Sequence, residues 1–372
     1  MRVRVYAAIV GIVCLVAIVV QVRADPQWMF DGFAYSIRAQ LDAGIPYDAA
    51  HAAARAVYAE RPAFAGPARH PWLDAPYPQW WSLFAVRAIY PWLASLLWPL
   101  LHFDSLFAVS GAAYVAAGLA LYAILLRFAR PEIAAGVAIV LMLYPESRLI
   151  GRSNLTDMLG EALWLATLFA MARFAARGRH TDLVFFGVAA VLLSFTRPVP
   201  YMPLTCAIVL AAAGHPRRAL PLAAISAALC AIVFAIMWLT RADVPAMPNY
   251  VALLARSSVV TLVWFVASIA GPVALYVLVV ARSRSDAALM SGVLLCTIPT
   301  LVLNPLPTDV MRVVALPMLP AIGCGIALAC EVVARHPGSA RAAEYMIACS
   351  GSVSTLAARR SRSPRSMNAA KR

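Results

Sequence analysis

From Val5 to Val22 the chain runs through eighteen residues without a charge, and runs of the same kind return along most of its length. A helix needs about 20 such residues to cross a hydrocarbon layer about 30 Å thick. Backbone amides and carbonyls have no water to pair with in oil, so helices satisfy runs like these and open sheet edges do not. Further runs lie at 105–127, 132–146, 156–173, 182–196, 199–214, 219–240, 258–281, 287–303 and 313–334. The expected fold class is therefore an all-α polytopic integral membrane protein with about ten transmembrane helices.

Charge sets the orientation of these runs. The chain is 63% hydrophobic and 13% charged, with a formal net charge of +14, against about 25% charged residues in an average soluble chain. In a soluble protein that excess would point to nucleic acid. Here the arginines stand at the ends of apolar runs, so they read as topology signals and no nucleic-acid partner is expected.

With Arg2 and Arg4 inside, the first helix (1–22) crosses outward. A cleaved secretory signal is the competing reading, but this apolar run exceeds the usual core of about 7–15 residues and suits a spanning anchor. Residues 23–104 then form a long outer loop, in which Pro62, Pro67, Pro71, Pro76 and Pro78 exclude one continuous helix. Residues 83–101 are apolar, yet letting them cross would put Arg127 and Arg130 outside and invert every later loop. Laid along the outer surface as a juxtamembrane helix, they leave Arg127/Arg130, Arg173/Arg177/Arg179, Arg217/Arg218 and Arg282/Arg284 all inside. The bundle proper is expected over 105–334, with both termini cytoplasmic. A basic Arg/Ser-rich tail at 335–372 lacks apolar periodicity and is expected to be disordered near anionic lipid.

Six of the seven cysteines, Cys14, Cys206, Cys230, Cys296, Cys324 and Cys330, lie inside apolar runs with no Cys-x-x-Cys spacing, as packing residues do. No His pairs with another at i+4, so no metal centre and no organic cofactor is expected. Asp157 and Glu161, one helical turn apart on one face, are the pair that could contact a cation or an acceptor. Lys371 is the single lysine, a bias in keeping with a GC-rich bacterial gene.

Short motifs along the first 320 residues carry a resemblance. Asp31-Gly-x-x-Tyr35 with Gly44-Ile-Pro46-Tyr47 follows the first helix, and Arg87-x-x-Tyr90-Pro91-Trp-Leu opens the surface helix. Thr156-Asp157 begins a span, Arg197-Pro198 follows Ser-Phe-Thr, and Arg312 precedes Pro317. The pattern resembles the GT-C membrane glycosyltransferases, of the protein O-mannosyltransferase and aminoarabinose transferase kind, which take sugars from polyprenyl-phosphate lipids. The resemblance implies a catalytic acid at Asp31, with Asp25 as the alternative, and a donor phosphate facing Arg87, Arg197 and Arg312. It implies acceptor or cation contacts at Asp157 and Glu161, partners limited to the lipid-linked donor and membrane lipids, and a place in a bacterial inner membrane.

Two other readings stay open on the residues alone. Charged groups and proline-broken spans also suit a transporter or flippase. A non-catalytic multi-pass scaffold would carry the same arginines as interfacial anchors and Asp157 as a helix-end charge.

Overall fold

The structure is a computed structural model that describes residues 1–61, 84, 86–240, 284–296 and 310–335; at 284 and 310–318 the description is of backbone alone. Among these residues the chain is helical apart from one isolated bridge between Gln27 and Ser153. The helices are α1 (Arg2–Ala24), α2 (Phe30–Asp42), α3 (Tyr47–Ala59), α4 (Ile89–Leu101), α5 (Asp104–Leu125), α6 (Pro131–Met142), α7 (Pro145–Gly151), α8 (Asp157–Arg177), α9 (His180–Thr196), α10 (Tyr201–Ala212), α11 (Pro216–Leu239), α12 (Arg284–Leu295) and α13 (Val310–Arg335).

Their boundaries follow from a few residues. Pro131, Pro145 and Pro216 start α6, α7 and α11, where the missing N–H is no loss and the fixed φ suits a first turn. Gly178 ends α8 at φ 65°, a left-handed geometry that costs other residues more. Leu143 and Tyr144 break what the apolar pattern predicts as one run over 132–146, and α6 and α7 meet there at a bend of 68°. The cause is Pro145, which holds Tyr144 extended at ψ 141° and offers no amide to continue α6.

Among the described residues four helices are long and apolar enough to cross a membrane, namely α1, α5, α8 and α11, and the bent α6–α7 pair makes a fifth if counted as one span. Helices α4, α9 and α10, and α12 from Ser285, are apolar but shorter. The expected run at 258–281, the end of 287–303 and the tail beyond Arg335 lie outside the described residues. Among the described residues the protein is thus all-α, with helices long and apolar enough to cross a membrane, and α4 covers part of the apolar run 83–101.

By internal contact the chain divides at Leu328. Within Met1–Leu328, α8 packs along α5 and α9, α1 packs on α5 and α6, and α10 packs on α11 and α12. One continuous core runs through them, from Val10 and Cys14 of α1 to Trp164 and Leu168 of α8 and Cys206 of α10. Gly118 permits a close contact of α1 with α5, because a methyl group there would meet Cys14 Sγ at 2.7 Å. Helix α1 otherwise leaves Ile9, Ile12, Val16, Val19 and Val20 bare, as a helix solvated by lipid does. At the end where α5 begins, α2 packs on α3 and α4, and α4 on α5. That layer has its own cores, one around Tyr35, Tyr90 and Trp98, another around Phe33, Ala54 and Tyr58. Of the second described stretch, 329–335, the ordered feature is an i,i+4 pair between Glu331 and Arg335, 2.8 Å.

Candidate functional site

The segment after α1 is stitched to the loop between α7 and α8. Gln27 donates its amide to Arg152 O at 3.1 Å and accepts from the Asn154 amide at 3.3 Å, so two extended strips of backbone lie side by side. Asn154, fully buried, accepts from the Met29 amide through Oδ1 at 2.8 Å and donates through Nδ2 to the Tyr58 hydroxyl. Its side chain sits where a methyl group on Gly32 would be, within 2.1–2.4 Å. Glycine at 32 therefore lets α2 start directly against this loop, and Asp31, in the first turn of α2, is held in place by its neighbours on both sides.

Asp31 faces Arg87. Arg87 Nη1 lies 3.5 Å from Asp31 Oδ2 and donates to the Tyr35 hydroxyl at 2.8 Å, leaving the phenolic proton for Thr156 Oγ1 at 3.3 Å. The side chains of Arg87 and Asp31 are 24% and 30% exposed, so this pair is reachable from outside. Burial pushes the Tyr35 phenol above its ordinary value, only partly opposed by the positive charge of Arg87. For Arg87, burial works against the cation, but the Tyr35 oxygen and the Asp31 carboxylate outweigh it, with Asp157 adding a smaller pull, and its proton is held more tightly than usual. Arg87 Nε is buried and has no hydrogen-bond partner among the described residues.

Deeper in, Arg197 Nη2 meets Asp157 Oδ1 at 2.5 Å. Both side chains are nearly inaccessible, at 8% and 2% exposure, so this pair is a buried one. Asp157 opens α8, where the helix dipole favours an anion. Gly160 leaves the room that the stem of Arg197 occupies, 3.0 Å from where a methyl would stand. Glu161 follows one turn after Asp157, is 5% exposed, and carries an Oε1 with no hydrogen-bond partner. Asp31, Arg87, Asp157, Arg197 and Glu161 thus form a row of alternating acids and guanidiniums from the layer of α2 and α4 into the bundle.

Asp25 stands apart. It is paired with Arg152 Nη1 at 2.8 Å and accepts from Gln27, and its side chain is 60% exposed. The Arg312 side chain, like Arg241, Asp243, Arg256, Asn304 and Asp309, lies outside the described residues. Among those described, no three His, Cys, Asp or Glu side chains converge in the manner of a metal site. The row also contains residues to which the sequence reading assigned no role: Gly32, Tyr35, Asn154, Thr156 and Gly160. Of these, Tyr35 is visible in the Asp31-Gly-x-x-Tyr35 spacing, which puts it one turn after Asp31. Gly32 and Thr156 also stand inside the quoted motifs, but their contacts with distant segments, like those of Asn154 and Gly160, are visible only in the fold.

Comparison with family models, with curated proteins and with solved structures gives no match to this chain.

Proposed function

We propose that this chain is a GT-C-like glycosyltransferase that moves a sugar from a polyprenyl-phosphate lipid to an acceptor at the outer face of a bacterial inner membrane. The observation that carries the reading is Arg87: a part-exposed guanidinium beside the Asp31 carboxylate. A planar fork of this kind suits phosphate oxygens. In the proposed reaction an acceptor hydroxyl attacks the anomeric carbon as the bond from that carbon to the phosphate oxygen breaks. Asp31 takes the hydroxyl proton, and the charge on the departing phosphate is held by Arg87.

The buried pair gives Arg197 a different part from Arg87. Its charge is already balanced by Asp157, so it serves to position the start of α8, and Thr156 with it, against Tyr35. Arg312 stays in the proposal as a second phosphate ligand. We place the remaining topology on the same footing: ten crossings, both termini cytoplasmic and α4 on the outer surface. The inner end then carries the pairs Arg127–Asp286 and Arg173–Asp182, at 2.7 and 2.8 Å.

The test is transfer from a radiolabelled polyprenyl-phosphate sugar in membranes containing the protein. Asp31→Asn, which keeps the shape and removes the basic oxygen, is expected to abolish transfer and leave folding intact; wild-type rates in that variant would end the proposal. A transporter is the second reading, favoured by the bend between α6 and α7, since broken helices line transport sites. It predicts lipid or solute movement across proteoliposomes that survives Asp31→Asn.

A further inference from the structure

Positive charge gathers at the end of α8 remote from Asp157. Arg173, Arg177 and Arg179 lie at the α8–α9 turn and Arg217 and Arg218 at the start of α11, while over 171–187 and 211–222 the single acid is Asp182. The fold brings the two segments together: α11 packs on α8 and α9, and the Arg218 guanidinium lies against Gly178. Asp182 is buried and bound to Arg173 at 2.8 Å. Among the described residues Arg177, Arg179, Arg217 and Arg218 make no ion pair with a carboxylate.

Helix ends sharpen the imbalance. Arg177 and Arg218 stand by the C-terminus of α8, whose negative dipole end suits them. Arg179 immediately precedes α9 and Arg217 is the second residue of α11, so both stand at positive helix ends, where a cation is disfavoured. Neither helix has a side-chain cap, so amides of its first turn still have hydrogens to give. His215, just before α11, adds a buried Nε2 with no hydrogen-bond partner among the described residues. Guanidiniums and helix-end amides gathered at one corner call for an anion, and phosphate fits both.

The same corner has an apolar flank. One turn further along the two helices, Val184 and Phe185 of α9 and Leu220 of α11 are exposed at 66%, 44% and 72%. Charge beside bare apolar side chains is the profile of a phospholipid site, whereas a free anion needs only the charge. Helix α8 has 21 residues, about 30 Å of helix, so the corner stands about one hydrocarbon thickness from Asp157.

We propose that the corner formed by Arg177, Arg179, Arg217 and Arg218 binds the phosphate of an anionic phospholipid, with its chains along α9 and α11. Arginines that only orient a chain in the membrane act through charge alone. A bound head group adds saturation and a preference for the planar guanidinium fork over an ammonium. The site is independent of the transfer reading, which concerns the other end of α8.

The test titrates the full-length protein in detergent with dioleoyl phosphatidylglycerol, dioleoyl phosphatidylcholine or inorganic phosphate, reading Tm and the lipid retained in native mass spectrometry. Phosphatidylglycerol is expected to be retained and to raise Tm saturably, and phosphatidylcholine and inorganic phosphate at equal concentration to do neither. Arg179→Gln combined with Arg217→Gln should move half-saturation at least about tenfold higher. Arg179→Lys combined with Arg217→Lys, which keeps the charge, should move it several-fold. Equal retention of the two lipids, or as large a Tm rise with inorganic phosphate, would overturn the lipid site. An unchanged half-saturation in the glutamine pair would overturn it as well; should that pair fail to fold, the lysine pair decides in the same way.

Discussion

Asn154 Oδ1 lies 2.8 Å from the Met29 amide nitrogen, a hydrogen bond that joins two segments 125 residues apart. Because Gly32 packs on the same side chain, the start of α2 has almost no freedom to move relative to α8. Asp31 sits between these two contacts, so its position is decided by a residue far away in sequence.

Gly32→Ala is expected to destabilise the protein by about 1–3 kcal/mol, the usual cost of forcing an extra methyl into a packed site. Asn154→Ala should cost a similar amount, about 1–3 kcal/mol, by leaving the buried Met29 amide unpaired. Thermal unfolding in detergent measures both. Near-wild-type stability in Gly32→Ala would mean that Asn154 moves aside freely.

The Arg197–Asp157 pair makes a sharper prediction. Removing one partner leaves an uncompensated buried charge, so Arg197→Met and Asp157→Leu should each cost about 3–5 kcal/mol and lower the yield of folded protein. Combining them is expected to restore most of that loss, because an apolar pair needs no desolvation. A double-mutant cycle on Tm values checks this. Simple addition of the two losses would show that the pair is not coupled.

Alkaline pH should weaken the layer built from α2, α3 and α4. Burial raises the Tyr35 phenol above its ordinary value of 10.0, so the folded state holds that proton more tightly than the unfolded chain does. The stability this contributes is complete below pH 10 and is lost as pH climbs from there through the higher folded-state value. Tyr58 and Tyr90 are pushed the same way, by the same burial. Tyr35→Phe is expected to flatten part of the decline in Tm between pH 9 and 11 at about the level of one ionisation.

Asp25 is expected to be dispensable. Its partner is Arg152, but its side chain is 60% exposed, and surface pairs of this kind contribute about 0–1 kcal/mol. Asp25→Asn should leave Tm unchanged and leave any transfer activity within a few-fold of wild type. Loss of transfer in this variant, with transfer kept in Asp31→Asn, would exchange the roles of the two acids.

Hydrophobic runs were enough to anticipate helices long and apolar enough to cross a membrane, and the approximate ends of several of those described, because oil forces backbone groups to pair locally. The break at Pro145 is local too, yet a small recess beside it exists only where α8 and α13 come against it. Asp31, Arg87, Asp157, Glu161 and Arg197 were picked out as candidates by the short motifs that carry the resemblance. Which of them meet was beyond those motifs: Arg197 finds Asp157 and Arg87 finds Asp31 and Tyr35 across gaps of 40 and more residues. Gly32, Asn154 and Thr156 have no periodicity to betray them. Their part is set by which backbone lies opposite them, and that is a property of helices already assembled.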